Sequence, residues 1–249
     1  MNFIQVKHAS VSISGAGECD AFAELIEMCP AISEPQFVDL ELSSGIDGLH
    51  LKWNKQGGEA LKYHLDFSKS ATQYRSFPAP KQGAFNQALG RKTKSIIDAT
   101  GGWAGDALLM SMQGYDVTVI ERLPIMATLI KEAFTRFARC EWAQKKSILI
   151  PSVLCGDANY LLPQLSGTAD CVYLDPMFPQ KKKKSAATNK YMQLLQWLAE
   201  ADSDASDVSW IARKHFPRLA VKRPDYAKPL IDEPNAQFSS KLVHYDVYF

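Results

Sequence analysis

The stretch Ser95-Ile-Ile-Asp98-Ala-Thr-Gly101-Gly102-Trp-Ala-Gly105-Asp106 decides how this chain folds. A short apolar run ends in a carboxylate, a glycine-rich bend follows, and helical spacing starts at once. A strand, a glycine turn and a helix N-terminus in this order bring bare backbone N–H groups up to a ligand. The echo is Val119-Ile-Glu121-Arg122, a second apolar run whose carboxylate lies 23 residues after Asp98. An acidic residue at the tip of that second strand can accept both hydroxyls of a ribose. Asp98, Gly101 and Glu121 therefore outline a seat for a nucleoside-bearing cofactor. Glycine turns also exist for helix packing alone, so this seat needs support from elsewhere in the chain.

The bulk composition narrows the field. With 249 residues, 46% hydrophobic and 22% charged, the chain suits one large domain, or one with a small appendage. A formal charge of +1 excludes an overall basic protein, so any nucleic-acid contact must come from local clustering. Cys19, Cys29, Cys140, Cys155 and Cys171 are scattered and contain no C-x-x-C pair. That pattern points to reduced thiols and away from a zinc site. Met1 to Ser10 lacks an apolar signal core, and the most apolar window, Ser147 to Cys155, is too short to span a bilayer. The expectation is a soluble, cytoplasmic protein with no membrane partner.

Two regions differ in pattern. Residues 1–85 read as a small β-rich α+β subdomain: a strand over Asn2–Val6, helical spacing over Asp20–Met28 stopped by Pro30, and alternating runs at Phe37–Leu42, Leu49–Trp53 and Ala60–Phe67. Gln56-Gly57-Gly58 marks a hairpin between the last two. A proline-punctuated connector, Tyr74 to Lys81, leads to a helix over Gly83–Leu89. Residues 86–249 then alternate strand and helix, as a parallel sheet covered on both faces requires. Strands are expected at Ser95–Ala99, Asp116–Glu121, Ser147–Cys155, Ala169–Asp175, Leu219–Arg223 and Leu242–Phe249. Helices are expected near Ala104–Met112, Ile125–Ala138, Asn159–Leu165, Lys190–Glu200 and Asp204–His215. The fold class is α/β, a Rossmann-like domain on a mixed, mostly parallel sheet.

A second motif, Asp170-Cys-Val-Tyr-Leu-Asp175-Pro176-Met177-Phe178-Pro179, closes the fourth strand of that domain. Ligands of open α/β sheets lie beyond the carboxyl ends of the strands, so Asp175 should face the same crevice as Gly101 and Glu121. The residues suit methylation of an exocyclic amine, whose lone pair is delocalised into its base. The Asp175 carboxylate and Pro176 carbonyl can accept its N–H bonds and aim the lone pair at a sulfonium-borne methyl. Phe178 can stack on the base. Taken alone the motif is also a strand end closed by an Asp-Pro turn with a buried phenylalanine.

Together with Val221-Lys-Arg-Pro-Asp-Tyr-Ala227, these blocks resemble the bacterial small-subunit ribosomal RNA guanine-N2 methyltransferase family, type J. The resemblance covers residues 85–249 well and the N-terminal part loosely. It implies a class I methyltransferase fold, S-adenosylmethionine as methyl donor, and a guanine N2 of 16S ribosomal RNA, or the small ribosomal subunit, as acceptor. Its cofactor positions carry over to Gly105, Asp106, Glu121, Arg122, Asp157, Ala158 and Asp175. Three departures stand out: Gly105 replaces an arginine, Ala104 a glycine, and Phe77-Pro-Ala-Pro-Lys81-Gln a glycine-rich basic run.

Expected RNA contacts are Arg75 and Lys81 before the domain, Lys181 and Lys182 in the lysine run after the Asp-Pro motif, and the strand-end pair Lys222 and Arg223, with Tyr226 nearby. The five histidines show no mutual spacing for a metal or a triad, and no metal is expected. The expected chemistry is in-line methyl transfer without a covalent intermediate, with Asp175 and Pro176 orienting the amine and Phe178 stacking. Rival readings are a nicotinamide-dependent oxidoreductase, a non-catalytic RNA-binding module, and methylation of another nucleobase or a protein amide.

Overall fold

A computed structural model describes residues 2–15, 20–71, 77–177, 189–199 and 204–249. The chain begins with β1 (Asn2–Val6) and β2 (Ala9–Ser14), a hairpin turned at Lys7, whose φ is +52°. Helix α1 (Asp20–Met28) crosses over to β3 (Leu40–Gly45), which pairs parallel with β2. The strands β4 (Gly48–Trp53) and β5 (Leu61–His64) follow as antiparallel neighbours, giving a sheet ordered β1-β2-β3-β4-β5. The expected Gln56-Gly57-Gly58 hairpin is the β4–β5 connection, with Trp53 opposite Leu61. Strand β2 is additional to the expected set, and Ala60–Phe67 breaks at His64 because Phe67 opens α2 (Phe67–Ala71).

The second sheet is built from α3 (Gly83–Leu89), β6 (Ser95–Asp98), α4 (Gly105–Met112), β7 (Asp116–Glu121), α5 (Pro124–Arg139), α6 (Glu141–Lys145), β8 (Ser152–Cys155), α7 (Ala158–Gln164), β9 (Cys171–Leu174), α8 (Lys190–Ala199), α9 (Ala205–His215), β10 (Leu219–Pro224), β11 (Ala236–Ser239) and β12 (Val243–Tyr248). Its strand order is β11-β12-β10-β9-β6-β7-β8. The strands β8, β7, β6, β9 and β10 run parallel, and β12 lies antiparallel to both β10 and β11. The sheet is mixed and mostly parallel, as expected. Strand β8 is shorter than the Ser147–Cys155 run: Ser147 sits at φ +50° just after α6, and Pro151 precedes the first ladder residue. Short α6 and β11 carry too little periodicity to stand out in sequence.

Side-chain alternation splits the core. Ile96, Val119, Tyr173 and Ala220 face the layer of α3, α4 and α5, while Ile97, Ile120, Leu174 and Val221 face α7 and α9. A third cluster joins the two sheets: Leu42, Leu51, Trp53 and Tyr63 pack with Ile125, Met126 and Leu129 of α5 and with Leu194, Leu195 and Leu198 of α8. The strand order reverses between β6 and β9, from which β7–β8 and β10 extend to opposite sides, and this opens a crevice at their carboxyl ends. Among the described residues no helix is long and apolar enough to cross a membrane.

Because Leu129 is 2% exposed and belongs to the cluster shared by both sheets, Leu129→Ala should cost about 2–5 kcal/mol. Urea unfolding checks this: tryptophan fluorescence and far-UV circular dichroism should shift together. A separate early transition of the N-terminal sheet would contradict the shared core.

Candidate active site

The crevice at the switch point is a cleft of about 460 Å³. The loop after β6, the ends of β7 and β9, the starts of α7 and α9, α8, and Lys222 of β10 line it. The Gly101 N–H donates to the Ile120 carbonyl at 3.0 Å, laying the glycine loop across β7. A Cβ added at Gly101 would sit 2.8 Å from Val119 Cγ1, so only glycine permits this approach. Gly102 has φ +54°, and Ala104 also adopts a left-handed conformation, φ +55°, at the N-cap of α4. The conformation that favours glycine is thus adopted here by alanine.

Glu121 clasps this loop. Its Oε2 accepts the Gly102 N–H at 2.7 Å and its Oε1 the Leu123 N–H at 2.8 Å. Asp98, at the end of β6, accepts the Thr100 N–H at 3.1 Å and the Thr100 hydroxyl at 3.3 Å. Thr100 Oγ1 in turn accepts the Asp175 N–H at 2.7 Å, joining the ends of β6 and β9. Burial pushes the Asp98 carboxyl up to about 7, with the Asp106 charge adding to the effect and the Thr100 hydrogen bonds opposing it.

Asp175 stands beside Lys222, with Nζ to Oδ2 at 2.7 Å. The same ammonium reaches Asp106 Oδ2 at 3.1 Å, and the Tyr173 hydroxyl donates to that oxygen at 2.6 Å. At the other end of the cleft Arg122 pairs with Asp204 at 3.3 Å. Asp157 caps α7 through the Asn159 N–H at 2.8 Å, and the Asn159 amide bridges to Asp204 at 3.2 Å. Asp98, Gly101, Gly105, Asp106, Glu121, Arg122, Asp157, Ala158, Asp175 and Pro176 all line this one cleft.

The expected RNA contacts are spread differently. Lys222 lies in the crevice, but its charge is committed to two carboxylates. Arg223 is 7% exposed and donates to the Lys228 carbonyl. Lys81 rests its ammonium 3.6 Å from the centre of the Tyr115 ring. Arg75, Phe178, Lys181 and Lys182 lie outside the described residues. Three contributors escaped the sequence reading: Asp204, Tyr173 and Trp103. Trp103 donates its indole N–H to the Tyr191 carbonyl at 2.9 Å and stacks on Tyr63 of β5, tying the glycine loop to the N-terminal sheet. The histidines His50 and His64, unrelated by sequence spacing, meet across β4 and β5 with rings stacked at 4.6 Å. His50 Nε2 lies 2.7 Å from Asp47 in the β3–β4 turn, and His64 Nδ1 of β5 lies 3.1 Å from the Leu49 carbonyl of β4.

A family model of SAM-dependent methyltransferases matches residues 29–249. Ribosomal RNA small subunit methyltransferase J of Legionella pneumophila (strain Corby) is 37% identical over 186 residues, 74% of each chain. The Proteus mirabilis (strain HI4320) protein of the same name is 35% identical, covering 80% of this chain and 83% of its own.

The chain belongs to this methyltransferase family.

The crystal structure of a SAM-dependent methyltransferase from Neisseria gonorrhoeae superposes with a TM-score of 0.68 at 25% identity, covering 96% of this methyltransferase and 94% of that chain. S-adenosylmethionine is the cofactor of this methyltransferase, and the residues present fit it. A Cβ-free cradle at Gly101 and a carboxylate at the tip of β7 suit a nucleoside, while Asp98, Asp106 and Asp175 converge where a cationic group would be welcomed.

Two outcomes test this geometry. Gly101→Ala should weaken S-adenosylmethionine binding by at least about tenfold in calorimetric titration, because the added methyl pushes the loop off β7. In the cofactor-free protein Asp98 holds its proton more tightly than in the unfolded chain. Its contribution to stability is therefore fully present below about pH 4 and lost as pH rises through about 7. Urea unfolding from pH 4.5 to 8 should show this decline in the native protein and a flatter profile in Asp98→Asn.

Proposed function

We propose that this methyltransferase transfers a methyl group from S-adenosylmethionine to the exocyclic N2 of a guanine in 16S ribosomal RNA, with free RNA or the small subunit as partner. The observation that carries the reading is the placement of Asp175 and Pro176. The backbone of Asp175 is pinned to Thr100, and both residues open onto the cleft that the glycine loop and Glu121 also line. Relatives named ribosomal RNA small subunit methyltransferase J support the RNA class of the substrate.

When bound, the cofactor supplies an electrophilic methyl on a positively charged sulfur. The chain's part is positioning. The Asp175 carboxylate and the Pro176 carbonyl accept the two N–H bonds of the guanine amine, turning its lone pair toward the methyl carbon. The bound cofactor would give up the methyl and keep the electron pair of its S–C bond, so the chain itself needs no nucleophile. The amine then sheds one proton, which Asp175 accepts or passes to water. Orientation of this kind supplies several kcal/mol of barrier lowering without any covalent step. Glu121 holds the ribose, Asp157 and Ala158 the adenine edge, and Asp98, Gly105 and Asp106 the amino-acid end; Arg122 braces the adenosine end through Asp204. We assign base stacking to Phe178 and phosphate contacts to Arg75, Lys181 and Lys182; Lys81, seated on Tyr115 just before β7, lies at the amino edge of the sheet, away from the cleft, and is not among them. The region 1–85 acts as a subdomain that braces this site through Trp103.

Small subunits from cells lacking the endogenous enzyme, incubated with the protein and S-adenosylmethionine and digested to nucleosides, should yield N2-methylguanosine by mass spectrometry. Asp175→Ala should reduce the yield at least about a thousandfold while leaving the melting temperature within about 3 °C. Any other methylated nucleoside from the native protein would overturn the guanine assignment.

A further inference from the structure

The sequence placed Lys222 among the RNA contacts, yet its ammonium lies between two carboxylates at the acidic end of the cleft. The register explains why. Strands β9 and β10 are parallel with Val221 opposite Leu174, so Lys222 emerges next to Asp175 at the carboxyl edge of the sheet. Asp106 comes from the first turn of α4, across the cleft. Nζ lies 2.7 Å from Asp175 Oδ2 and 3.1 Å from Asp106 Oδ2. Tyr173, 0% exposed beneath them, donates to Asp106 and holds it in place.

We propose that Lys222 is a positioning residue that clamps the Asp175 carboxylate and the first turn of α4 into one rigid unit. The proposal rests on the role of Asp175 given above. Among the described residues, the groups facing Asp175 are Lys222, Asp106, Asp98, Tyr173 and Tyr245, and of these only Lys222 is cationic. Burial and the Asp106 charge raise the Asp175 carboxyl above its ordinary range, and Lys222 opposes that rise. Burial works against the Lys222 ammonium too, but the charges of Asp175 and Asp106 more than compensate and raise its own pKa. Without Lys222, three carboxyl groups would face one another and Asp175 would hold a proton to higher pH. A protonated Asp175 has one acceptor fewer for an amine, and its free rotation would lose the aim. Lys222 thus acts on the reaction through Asp175.

The test begins on the cofactor-free protein. Carboxylate carbon NMR, with the Asp175 resonance assigned from Asp175→Asn, follows its titration directly. Lys222→Met should raise the Asp175 midpoint by about one to three pH units, and Lys222→Arg by less than about half a unit. Activity supplies the second arm. Lys222→Met should lose at least about tenfold in kcat at pH 6.5, and part of that loss should be regained as pH rises past the new midpoint. Should Lys222→Met fail to fold, Lys222→Met with Asp106→Asn is compared with Asp106→Asn alone, and the same upward shift is expected. An unchanged Asp175 midpoint, or a kcat loss equal at every pH, would overturn the proposal. Failure to methylate guanine would overturn the substrate assignment while the NMR arm still decides the role of Lys222.

Discussion

Two backbone N–H groups, those of Gly102 and Leu123, close on the carboxylate of Glu121, and the site is built outward from that clasp. A buried carboxylate that accepts backbone N–H bonds is a strong, directional anchor, because charge-assisted hydrogen bonds gain strength away from water. The clasp joins the loop leaving β6 to the end of β7. It works only because Gly101 has no side chain to hold the loop away from Val119. Once the loop lies there, α4 starts at a fixed point and brings Asp106 to the mouth of the cleft.

From that point electrostatics governs the arrangement. Asp98, Asp106 and Asp175 come from three elements and meet at one end of the cleft, with Lys222 between two of them. Burial raises the cost of ionising Asp98 and Asp175, and the Asp106 charge adds to it at both. A cation relieves this repulsion, and the Lys222 ammonium lies within 3.1 Å of Asp106 and 2.7 Å of Asp175.

The N-terminal sheet belongs to the same design. Its Tyr63 stacks on Trp103 of the glycine loop, and its hydroxyl donates to the Lys190 carbonyl at the start of α8. With Leu194, Leu195 and Leu198 of α8 buried against that sheet, the α8 wall of the cleft is carried by residues far away in sequence. The glycine loop is therefore held on one side by β7 and on the other by a separate sheet.

The sequence alone determined the alternating α/β order, the glycine bend with Glu121 at the next strand end, and the placement of Asp175 and Pro176 beyond β9. These are local features: periodicity, turn chemistry and residue types at strand tips act within a few residues of themselves. The pairing of Lys222 with Asp106 and Asp175, the bracing of Trp103 by Tyr63 and Tyr191, and the meeting of His50 with His64 were decided by the tertiary structure. Strand order and register set those contacts, and no local pattern encodes which strand will lie beside which. Lys222 shows the difference most plainly. As a lysine at a strand end it reads as an RNA contact, and only the neighbouring strand and the helix across the cleft turn it inward.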